Sequence, residues 1–323
     1  MDWLSVLHVL LLAFFVFVIC QLTRLYFADS DLTLQWAHHF GVPTSHLRGK
    51  VVWITGASSG IGEHLSYELA AAGCRLVLSA RRKDELERVK KQCQLSGRVA
   101  DADILVLPLD VVKFDTHKEH VRTVIDHFKQ INILVNNAGR SQRAHWQDIS
   151  LLVDREMLEV NVLGVLSLTR AVLPHMITSK GGQIVVVSSM AGKLGTPLSG
   201  SYSGSKHALH GLFETLRIEG HAMNIKITMV CPGHVFSSIR QKAMTEKPGE
   251  EYGVKMKPNE RRMSTSRCAL LMAVAIANQL DEVWISIHPV LLFTYMAQYM
   301  PTLARRLAVR IGMRVIEDIR HGK

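Results

Sequence analysis

A tyrosine and a lysine carry the clearest chemistry in the sequence. Tyr202 and Lys206 stand in the segment YSGSK, and on a helix this spacing puts both side chains on one face. A tyrosine with its usual pKa of about 10 is a poor acid–base group at neutral pH. A neighbouring ammonium group stabilises the phenolate and lowers that pKa. The pair therefore predicts general acid–base chemistry, although the spacing alone also fits a surface pair.

A hydroxyl group and an amide are predicted to complete this site. Ser188 and Ser189 end an apolar strand run, and the carboxyl ends of parallel strands line the crevice in which ligands bind. A serine there would hold a substrate oxygen beside the phenol. Asn161 lies within a helix predicted over 157–177. Asparagine is unfavourable inside a helix, so we expect Asn161 to distort it and to hold a water molecule.

A glycine-rich segment, TGASSGIG, joins the first predicted strand to the first predicted helix. Glycines allow a tight turn and a close approach of backbone N–H groups to a phosphate, and the N-terminus of the helix adds partial positive charge. The position at the start of a strand–helix–strand pattern favours dinucleotide binding over a simple turn. The predicted phosphate-binding residues are Gly56, Ser58, Ser59, Gly60, Ile61 and Gly62.

The end of the second predicted strand indicates which dinucleotide binds. A site for NAD has an acidic residue there, which binds the ribose 2′-hydroxyl. This sequence has Arg81 and Arg82 instead. Two guanidinium groups suit a 2′-phosphate, so the sequence predicts NADP(H). The alternative is that both arginines are solvated residues at the start of a helix.

Two further strand ends supply candidate contacts to the cofactor. Asp110 ends the third strand run and would accept a hydrogen bond from the adenine amino group, unless it is an ordinary turn or helix-start aspartate. The segment NNAG at 136–139 ends the fourth strand run. Its small residues leave room for a planar ring, which makes Asn136, Ala138 and Gly139 candidate contacts.

These residues together resemble the short-chain dehydrogenase/reductase superfamily. The segments TGASSGIG, NNAG, YSGSK and PG stand with Asn161 and Ser189 in the order of that family, over about residues 48–290. Motifs in the two terminal segments are similar to a membrane-bound subgroup related to hydroxysteroid and retinol dehydrogenases. The resemblance implies a Rossmann-like, doubly wound parallel α/β sheet. It also implies cofactor contacts at Val111, Pro232, Gly233, Val235 and Ser237, the last standing where the family often has threonine.

The resemblance also implies a role for each reactive residue. Tyr202 would be the general acid–base, and Lys206 would lower its pKa and bind the nicotinamide ribose. Ser189, rather than Ser188, would orient the substrate carbonyl, and Asn161 would hold a relay water. A hydride would pass between the nicotinamide and the carbonyl carbon.

The elements that must position these groups follow from the pattern of the chain. From Val51 onward, short apolar runs alternate with helical stretches, which predicts one doubly wound α/β domain over residues 49–290. The chain has 323 residues, 48% of them hydrophobic, and a formal net charge of +10. This composition excludes a disordered or collagen-like chain. The five cysteines lack the C-x-x-C spacing of a zinc site, so no metal is predicted.

The first residues form a separate apolar segment. The stretch 3–22 carries no formal charge and is long enough to span a bilayer as a helix. A cleaved signal peptide is the alternative, but Asp2 stands where such a peptide has positive charge. We therefore predict an anchor over 1–24 and a linker over 25–48. The resemblance implies a single-pass protein of the endoplasmic reticulum membrane.

Two segments near the C-terminus are candidates for contacts with substrate and membrane. A charged stretch after Ser237 is predicted to be a lid or a passive surface loop. The tail, 291–323, is a basic amphipathic segment that would lie on an anionic membrane, close the pocket, or pack on the domain or on a second copy of the chain. Positive charge is spread along the chain, so nucleic acid is not an expected partner.

The sequence therefore predicts a membrane-anchored NADP(H)-dependent oxidoreductase. Its expected substrate is a lipophilic carbonyl or alcohol, such as a steroid or retinoid. Two alternatives stay open: a reductase of 3-keto lipids, and a cofactor-binding scaffold without turnover.

Overall fold

One seven-stranded parallel sheet forms the centre of the computed structural model, which describes residues 3–95 and 99–320. The predicted doubly wound sheet is confirmed, with strands in the order β3-β2-β1-β4-β5-β6-β7. The strands are β1 Val51–Thr55, β2 Arg75–Ser79, β3 Ile104–Val106, β4 Ile133–Asn136, β5 Gly182–Val187, β6 Ile225–Pro232 and β7 Glu282–Ile285. Every residue of β1 is buried, as expected for a strand covered on both faces.

Helices cover both faces of the sheet. They are α1 Trp3–Tyr26, α2 Leu32–Phe40, α3 Gly60–Ala71, α4 Lys83–Leu95, α5 His117–Phe128, α6 Leu151–Leu158, α7 Gly164–Thr178, α8 Gly200–Gly220, α9 Thr265–Ala277, α10 Val290–Tyr299 and α11 Pro301–Arg320. One core lies under α2, α3, α4 and α9, and a second lies under α5, α7 and α8. Strand order reverses between β1 and β4, so the ends of these strands open a crevice.

The helix predicted over 157–177 is longer and has a defect in its middle. It begins at Leu151, where the Ser150 side chain accepts a hydrogen bond from the backbone N–H of Leu152. Residues Glu159–Leu163 form a π-helical turn between α6 and α7. Asn161 lies inside that turn, so the predicted distortion of the helix is present in the structure. Such turns insert one residue and re-aim the side chains around them.

The segment predicted as a linker contains folded structure. Asp31 caps α2 by accepting from the backbone N–H of Leu34, and its second oxygen accepts from the N–H of Trp284 in β7 at 2.6 Å. Burial raises the pKa of Asp31 despite these bonds. Leu34 is fully buried in the first core. The Asp29 carboxylate also pairs with Arg267 of α9 at 2.7 Å, so the segment is fastened to the sheet and to a core helix.

The strand β7 was not among the predicted strands, and the two terminal segments are helical.

Two helices of the described residues, Trp3–Gln21 and Leu151–Thr178, are long and apolar enough to cross a membrane. The second packs on the sheet as α6 and α7, whereas the first is exposed along its length. The tail forms α10 and α11, and α11 is interrupted at Gly312, where φ is 75°. Residues 1–2 of the predicted anchor and 321–323 of the predicted tail lie outside the described residues.

Candidate functional site

A cleft of about 540 Å³ lies at the carboxyl ends of the strands, where the strand order reverses. The predicted cofactor residues that line it are Gly56, Ser58, Ser59, Gly60, Ile61, Arg81, Arg82, Asp110, Val111, Ala138, Gly139, Tyr202, Lys206, Pro232, Gly233, Val235 and Ser237. These residues come from loops that follow β1, β2, β4 and β6, from the segment after β3, and from α8. The fold thus brings together residues that are far apart in the chain.

The glycine loop has the close packing that a phosphate cradle requires. Gly56 has a φ of 67°, and a Cβ there would lie 2.9 Å from the Cα of Ala138. A Cβ on Gly62 would lie 2.4 Å from the carbonyl oxygen of Gly56. Gly62 therefore packs α3 against the loop and does not line the cleft. The loop is shaped so that a dinucleotide phosphate meets backbone N–H groups at the start of α3.

The two asparagines of NNAG have different positions, and the one predicted to contact the cofactor is not the one that lines the cleft. Asn136 is buried in β4, where its side-chain amide donates to the Thr169 hydroxyl at 2.9 Å. It does not line the cleft. Asn137 lines the cleft, and its amide donates to the carbonyl oxygen of Thr55 at 2.9 Å. Successive strand residues face opposite sides of a sheet, so neighbours at a strand end have different surroundings.

The arginines after β2 stand at one end of the cleft. The Arg82 guanidinium donates to the Ser58 hydroxyl of the glycine loop at 3.2 Å. Arg81 and Arg82 are both exposed, so their charge is available to a ligand. Ser79 and Ala80 precede them along the cleft. Arg81 and Arg82 thus stand where an NAD-binding site has the acidic residue that binds the ribose 2′-hydroxyl.

The predicted tyrosine–lysine pair lies at the other end of the cleft, on α8. The Lys206 ammonium is buried, and it donates to the carbonyl oxygen of Val187 at 2.8 Å. It lies 5.7 Å from the centre of the Tyr202 ring. Burial lowers the pKa of Lys206 to about 8. The ammonium is thus close enough to stabilise a Tyr202 phenolate while still carrying a proton at neutral pH.

The two serines after β5 are engaged differently. Ser189 lies in extended backbone at the end of the strand, and its hydroxyl donates to the carbonyl oxygen of Pro232 at 3.3 Å. The Ser188 hydroxyl lies 3.1 Å from Nε2 of His210 and donates to the carbonyl oxygen of Lys206. Both serines line the cleft, but Ser189 also lines the adjoining apolar cavity described below. Ser189 is therefore the better placed of the two to contact a substrate.

Asn161 lies behind the pair and does not line the cleft. Its Oδ1 accepts from the backbone N–H of Arg140 at 2.8 Å, and its Nδ2 donates to the Arg140 carbonyl oxygen and to the Ser205 hydroxyl, each at 3.0 Å. A Cβ on Gly139 would lie 3.1 Å from Oδ1 of Asn161 and 3.6 Å from Nζ of Lys206. Asn161 thus joins the π-helical turn to α8 near Lys206. That Asn161 holds a water molecule stays a prediction.

A second cavity, of about 610 Å³, adjoins the cleft. Five residues line both: Ser189, Tyr202, Gly233, Val235 and Ile239. Most of the remaining wall is apolar. Part of it comes from α10, from Met300 after that helix and from α11, and it includes Phe293, Tyr295, Met296 and Tyr299. The tail therefore encloses the cavity, one of the alternatives for it. The sequence signal was the run of aromatic residues and methionines after Val290, for which closing the pocket was one of the predicted roles.

The segment after Ser237 contributes to both cavities. Ile239 lines both of them, and Arg240, Met256 and Arg262 line the apolar one. Two ion pairs brace the segment, because Arg240 and Arg262 both bind the Glu260 carboxylate, at 3.0 Å and 2.5 Å. This position beside the cavity agrees with the predicted lid better than with a passive loop, although movement of the segment stays a prediction.

A partly buried polar cluster next to Ser188, formed by His210, Cys231 and Glu282, resembles a metal site in composition only. Nδ1 of His210 lies 3.3 Å from the Glu282 carboxylate, and the Cys231 thiol lies 3.7 Å from Nε2 of the same ring. Lys193 and Trp284 also donate to Glu282. Burial acts to raise the pKa of Glu282, but these bonds lower it to about 2. An ion at this position would compete with an ammonium and an indole N–H for the carboxylate.

Comparisons with known proteins agree with this geometry. The family model for short chain dehydrogenases matches residues 50–248. The chain is 46% identical to human dehydrogenase/reductase SDR family member 7 over 324 residues, which covers 100% of this chain and 95% of that protein. The predicted resemblance to the short-chain dehydrogenase/reductase family, and to relatives of this kind, is thereby confirmed.

Two solved structures have the same fold. An alcohol dehydrogenase from Thermococcus sibiricus complexed with 5-hydroxy-NADP is 27% identical, with a TM-score of 0.65 over 75% of this chain and 97% of its own. A short chain dehydrogenase/reductase from Burkholderia phymatum in complex with NAD is 25% identical, with a TM-score of 0.67 over 80% of this chain and 96% of its own. Proteins with this fold therefore bind either nicotinamide dinucleotide.

The burial of Lys206 predicts a pH dependence of stability in the cofactor-free protein. Its pKa is about 8 when folded, below the ordinary value of 10.5. Between these values the unfolded chain binds more protons, so the free energy of unfolding should rise with pH. Urea unfolding in detergent should show this rise for the parent protein relative to Lys206→Met, whereas the exposed-residue variant Lys118→Met should track the parent. If the free energy of unfolding rose equally with pH in the parent protein and in Lys206→Met, the lowered pKa of Lys206 would be contradicted.

Proposed function

The chain belongs to the short-chain dehydrogenase/reductase family, and on this premise we propose that it is a membrane-anchored, NADP(H)-dependent oxidoreductase of lipophilic carbonyls and alcohols. The observation that carries the proposal is the position of Tyr202 and Ser189 in the walls of both cavities. One cavity has the glycine loop and arginines suited to a dinucleotide. The other is apolar and suited to a lipophilic substrate. A carbonyl at their junction would meet both the phenol and the nicotinamide end of the cleft.

The residues of the cleft fit the nicotinamide cofactor that the family implies. The absence of a Cβ at Gly56 lets the loop pack closely against Ala138 at the edge of the cleft, and the small residues Ala138 and Gly139 leave room beside Lys206. When bound, the cofactor supplies or accepts the hydride. Ser237 and Val235 lie beside Pro232 and Gly233 at the far end, where the nicotinamide amide would bind.

The protein itself handles the proton. In the reducing direction, Ser189 would donate a hydrogen bond to the substrate oxygen and hold the carbonyl beside Tyr202. As the carbonyl carbon gains a hydride, its oxygen gains negative charge, and the Tyr202 phenol would give that oxygen its proton. The phenolate left behind is stabilised by the Lys206 ammonium. Oxidation of the alcohol reverses each step, with the phenolate taking the proton.

The cofactor preference rests on the arginines after β2. Arg81 and Arg82 stand where an NAD-binding site has an acid, and Arg82 already contacts Ser58 of the glycine loop. A ribose 2′-phosphate would lie between guanidinium groups and could form charge-assisted hydrogen bonds with them. These contacts support a preference for NADP(H) over NAD(H).

The exposed apolar helix and tail support attachment to a membrane. The helix α1 exposes nearly all of its apolar side chains, and residues 3–21 form one uncharged stretch. The tail exposes Tyr299, Met300 and Val309 beside arginines at 305, 306, 310 and 314. An amphipathic surface of this kind suits an anionic bilayer. We assign α1 as the span, the tail as a second contact, and the endoplasmic reticulum as the membrane, by analogy with the membrane-bound subgroup.

Replacing Arg81 should change the cofactor preference. A charge-assisted hydrogen bond contributes roughly 1.5–3 kcal/mol, so Arg81→Asp should weaken NADPH binding by about ten- to a hundredfold and should favour NADH. Fluorescence titration with both cofactors measures the two affinities. The exposed arginine of α5 provides a matched control, since Arg122→Asp makes the same charge change outside the cleft. A parent protein that binds NADPH and NADH equally would overturn the assignment.

Removing the phenolic oxygen of Tyr202 should stop turnover and leave cofactor binding intact. Tyr202→Phe keeps the ring, but the reduced oxygen then lacks its proton donor. Acid–base groups contribute about 10²–10⁴ in rate, so kcat should fall by at least that factor. The control Tyr67→Phe makes the same change outside both cavities. Parent-like turnover by a folded, NADPH-binding Tyr202→Phe protein would contradict the mechanism.

Deleting residues 1–26 should release the protein from membranes. The full chain should stay in the pellet after carbonate extraction, because the uncharged helix spans the bilayer. A second variant keeps α1 and replaces the arginines at 305, 306, 310 and 314 by glutamine; it should also stay in the pellet. A truncated protein that resists carbonate extraction would show that α1 is not the main attachment.

A further inference from the structure

An arginine in the wall of the apolar cavity has no acidic partner among the described side chains. Arg143 lies in the loop after β4, and its side chain lines the cavity together with Tyr202. Its Nη1 donates to the Ser199 hydroxyl and to the Gln142 carbonyl oxygen, each at 2.6 Å, and to the Ser141 hydroxyl at 2.9 Å. Ser199 immediately precedes α8, so these bonds fix the guanidinium beside the helix that carries Tyr202.

The hydrogen bonds of this guanidinium leave one of its edges without a described partner. Among the side chains that the structure describes, which within residues 3–95 and 99–320 exclude those at 22, 24, 25, 317, 319 and 320, no acceptor bonds Nε or Nη2 of Arg143 and no carboxylate lies within 4.0 Å of the group. Nε–H and one N–H of Nη2 point in the same direction, which is the edge that grips both oxygens of a carboxylate. All three hydrogen bonds use the other nitrogen, so the free edge is held in a fixed orientation.

The cavity around Arg143 has an excess of positive charge. Arg240 and Arg262 also line it, and Glu260 is the carboxylate that pairs with both. Arg143 therefore adds a positive charge that its described surroundings do not neutralise. Burial lowers its pKa to about 10, with Tyr202 acting in the opposite direction, so the guanidinium stays charged at neutral pH. A cation in an apolar wall is unfavourable unless an anion pairs with it.

We propose that the substrate of this enzyme is an apolar oxo or hydroxy compound that carries a carboxylate, and that Arg143 binds this carboxylate. The inference rests on the function proposed above and adds a substrate class to it. The apolar walls from α10 and α11 would bind the hydrocarbon part, Ser189 and Tyr202 the reacting oxygen, and Arg143 the acid group. Arg143 would thereby distinguish an oxo acid from a neutral ketone of the same shape.

The experiment compares each acid with its neutral ester. The substrates are 4-oxo-, 5-oxo- and 6-oxododecanoate and their methyl esters, which vary the separation of ketone and acid. With NADPH, the parent protein should favour at least one acid over its ester by about ten- to a hundredfold in kcat/KM, the range for a charge-assisted bond. Arg143→Met should remove that preference by lowering activity on the acid alone. Arg143→Lys keeps the positive charge but cannot form the bidentate hydrogen bond to a carboxylate, so it should keep part of the preference for the acid over its ester.

Two results would overturn the proposal. One is a parent protein that shows no preference for any of the acids over its ester. The other is an Arg143→Met protein in which acid and ester activities fall by the same factor, because Arg143 would then act only on Tyr202. The control Arg122→Met removes an exposed arginine of α5 and should leave every ratio unchanged.

A binding measurement separates this proposal from the proposed function. Dodecanoate has no ketone and cannot be reduced, and dodecanol is its neutral counterpart. Calorimetry on the NADPH-loaded full chain should show that the parent binds dodecanoate at least tenfold more tightly than Arg143→Met does, with dodecanol bound equally by both. If no ketone is turned over but this difference is present, the proposed activity fails and the carboxylate site stands. Equal binding of dodecanoate by both proteins would refute the site.

Discussion

An ammonium group inside a protein needs an acceptor, and Lys206 finds one in the carbonyl oxygen of Val187 at the end of β5. This bond links α8 to the end of β5, one helical turn after Tyr202, which lines both the cleft and the apolar cavity. The neighbouring residues must then be small, because a Cβ on Gly192 would lie 3.0 Å from the carbonyl oxygen of Lys206. Burial disfavours the charged form of Lys206 and so lowers its pKa. The same ammonium group stabilises the Tyr202 phenolate, which allows Tyr202 to act as an acid–base group near neutral pH.

The π-helical turn at Glu159–Leu163 contacts α8 through Asn161, close to the tyrosine–lysine pair. From within this turn, the Asn161 amide bonds the Arg140 backbone with both its oxygen and its nitrogen, and the nitrogen also donates to Ser205 of α8. The amide thus links the loop after β4 to the helix that carries the reactive pair. The same loop continues to Arg143, so the position of the phenol and the position of the free guanidinium depend on one segment of backbone.

Motif residues were predictable from the sequence because each has a chemical requirement that few residue types meet. Gly56 needs a positive φ and no Cβ, and Tyr202 with Lys206 needs a helical spacing of four. The two neighbouring asparagines of NNAG show where such prediction stops. Asn136 and Asn137 have the same side chain, and only their different surroundings at the strand end decide which one lines the cleft. Neither β7 nor the folded part of the supposed linker was predicted. Asp31 and Trp284 are held together by a contact between distant parts of the chain, which local patterns do not encode.

That same contact connects the N-terminal segment to the wall of the apolar cavity. Asp31 fixes the backbone of Trp284, whose ring packs edge-on against Tyr295 at 5.0 Å, and the Tyr295 hydroxyl accepts from the backbone N–H of Leu32. Tyr295 lines the apolar cavity. The chain that leaves the proposed membrane span is therefore bonded, within a few residues, to the helix that encloses the substrate.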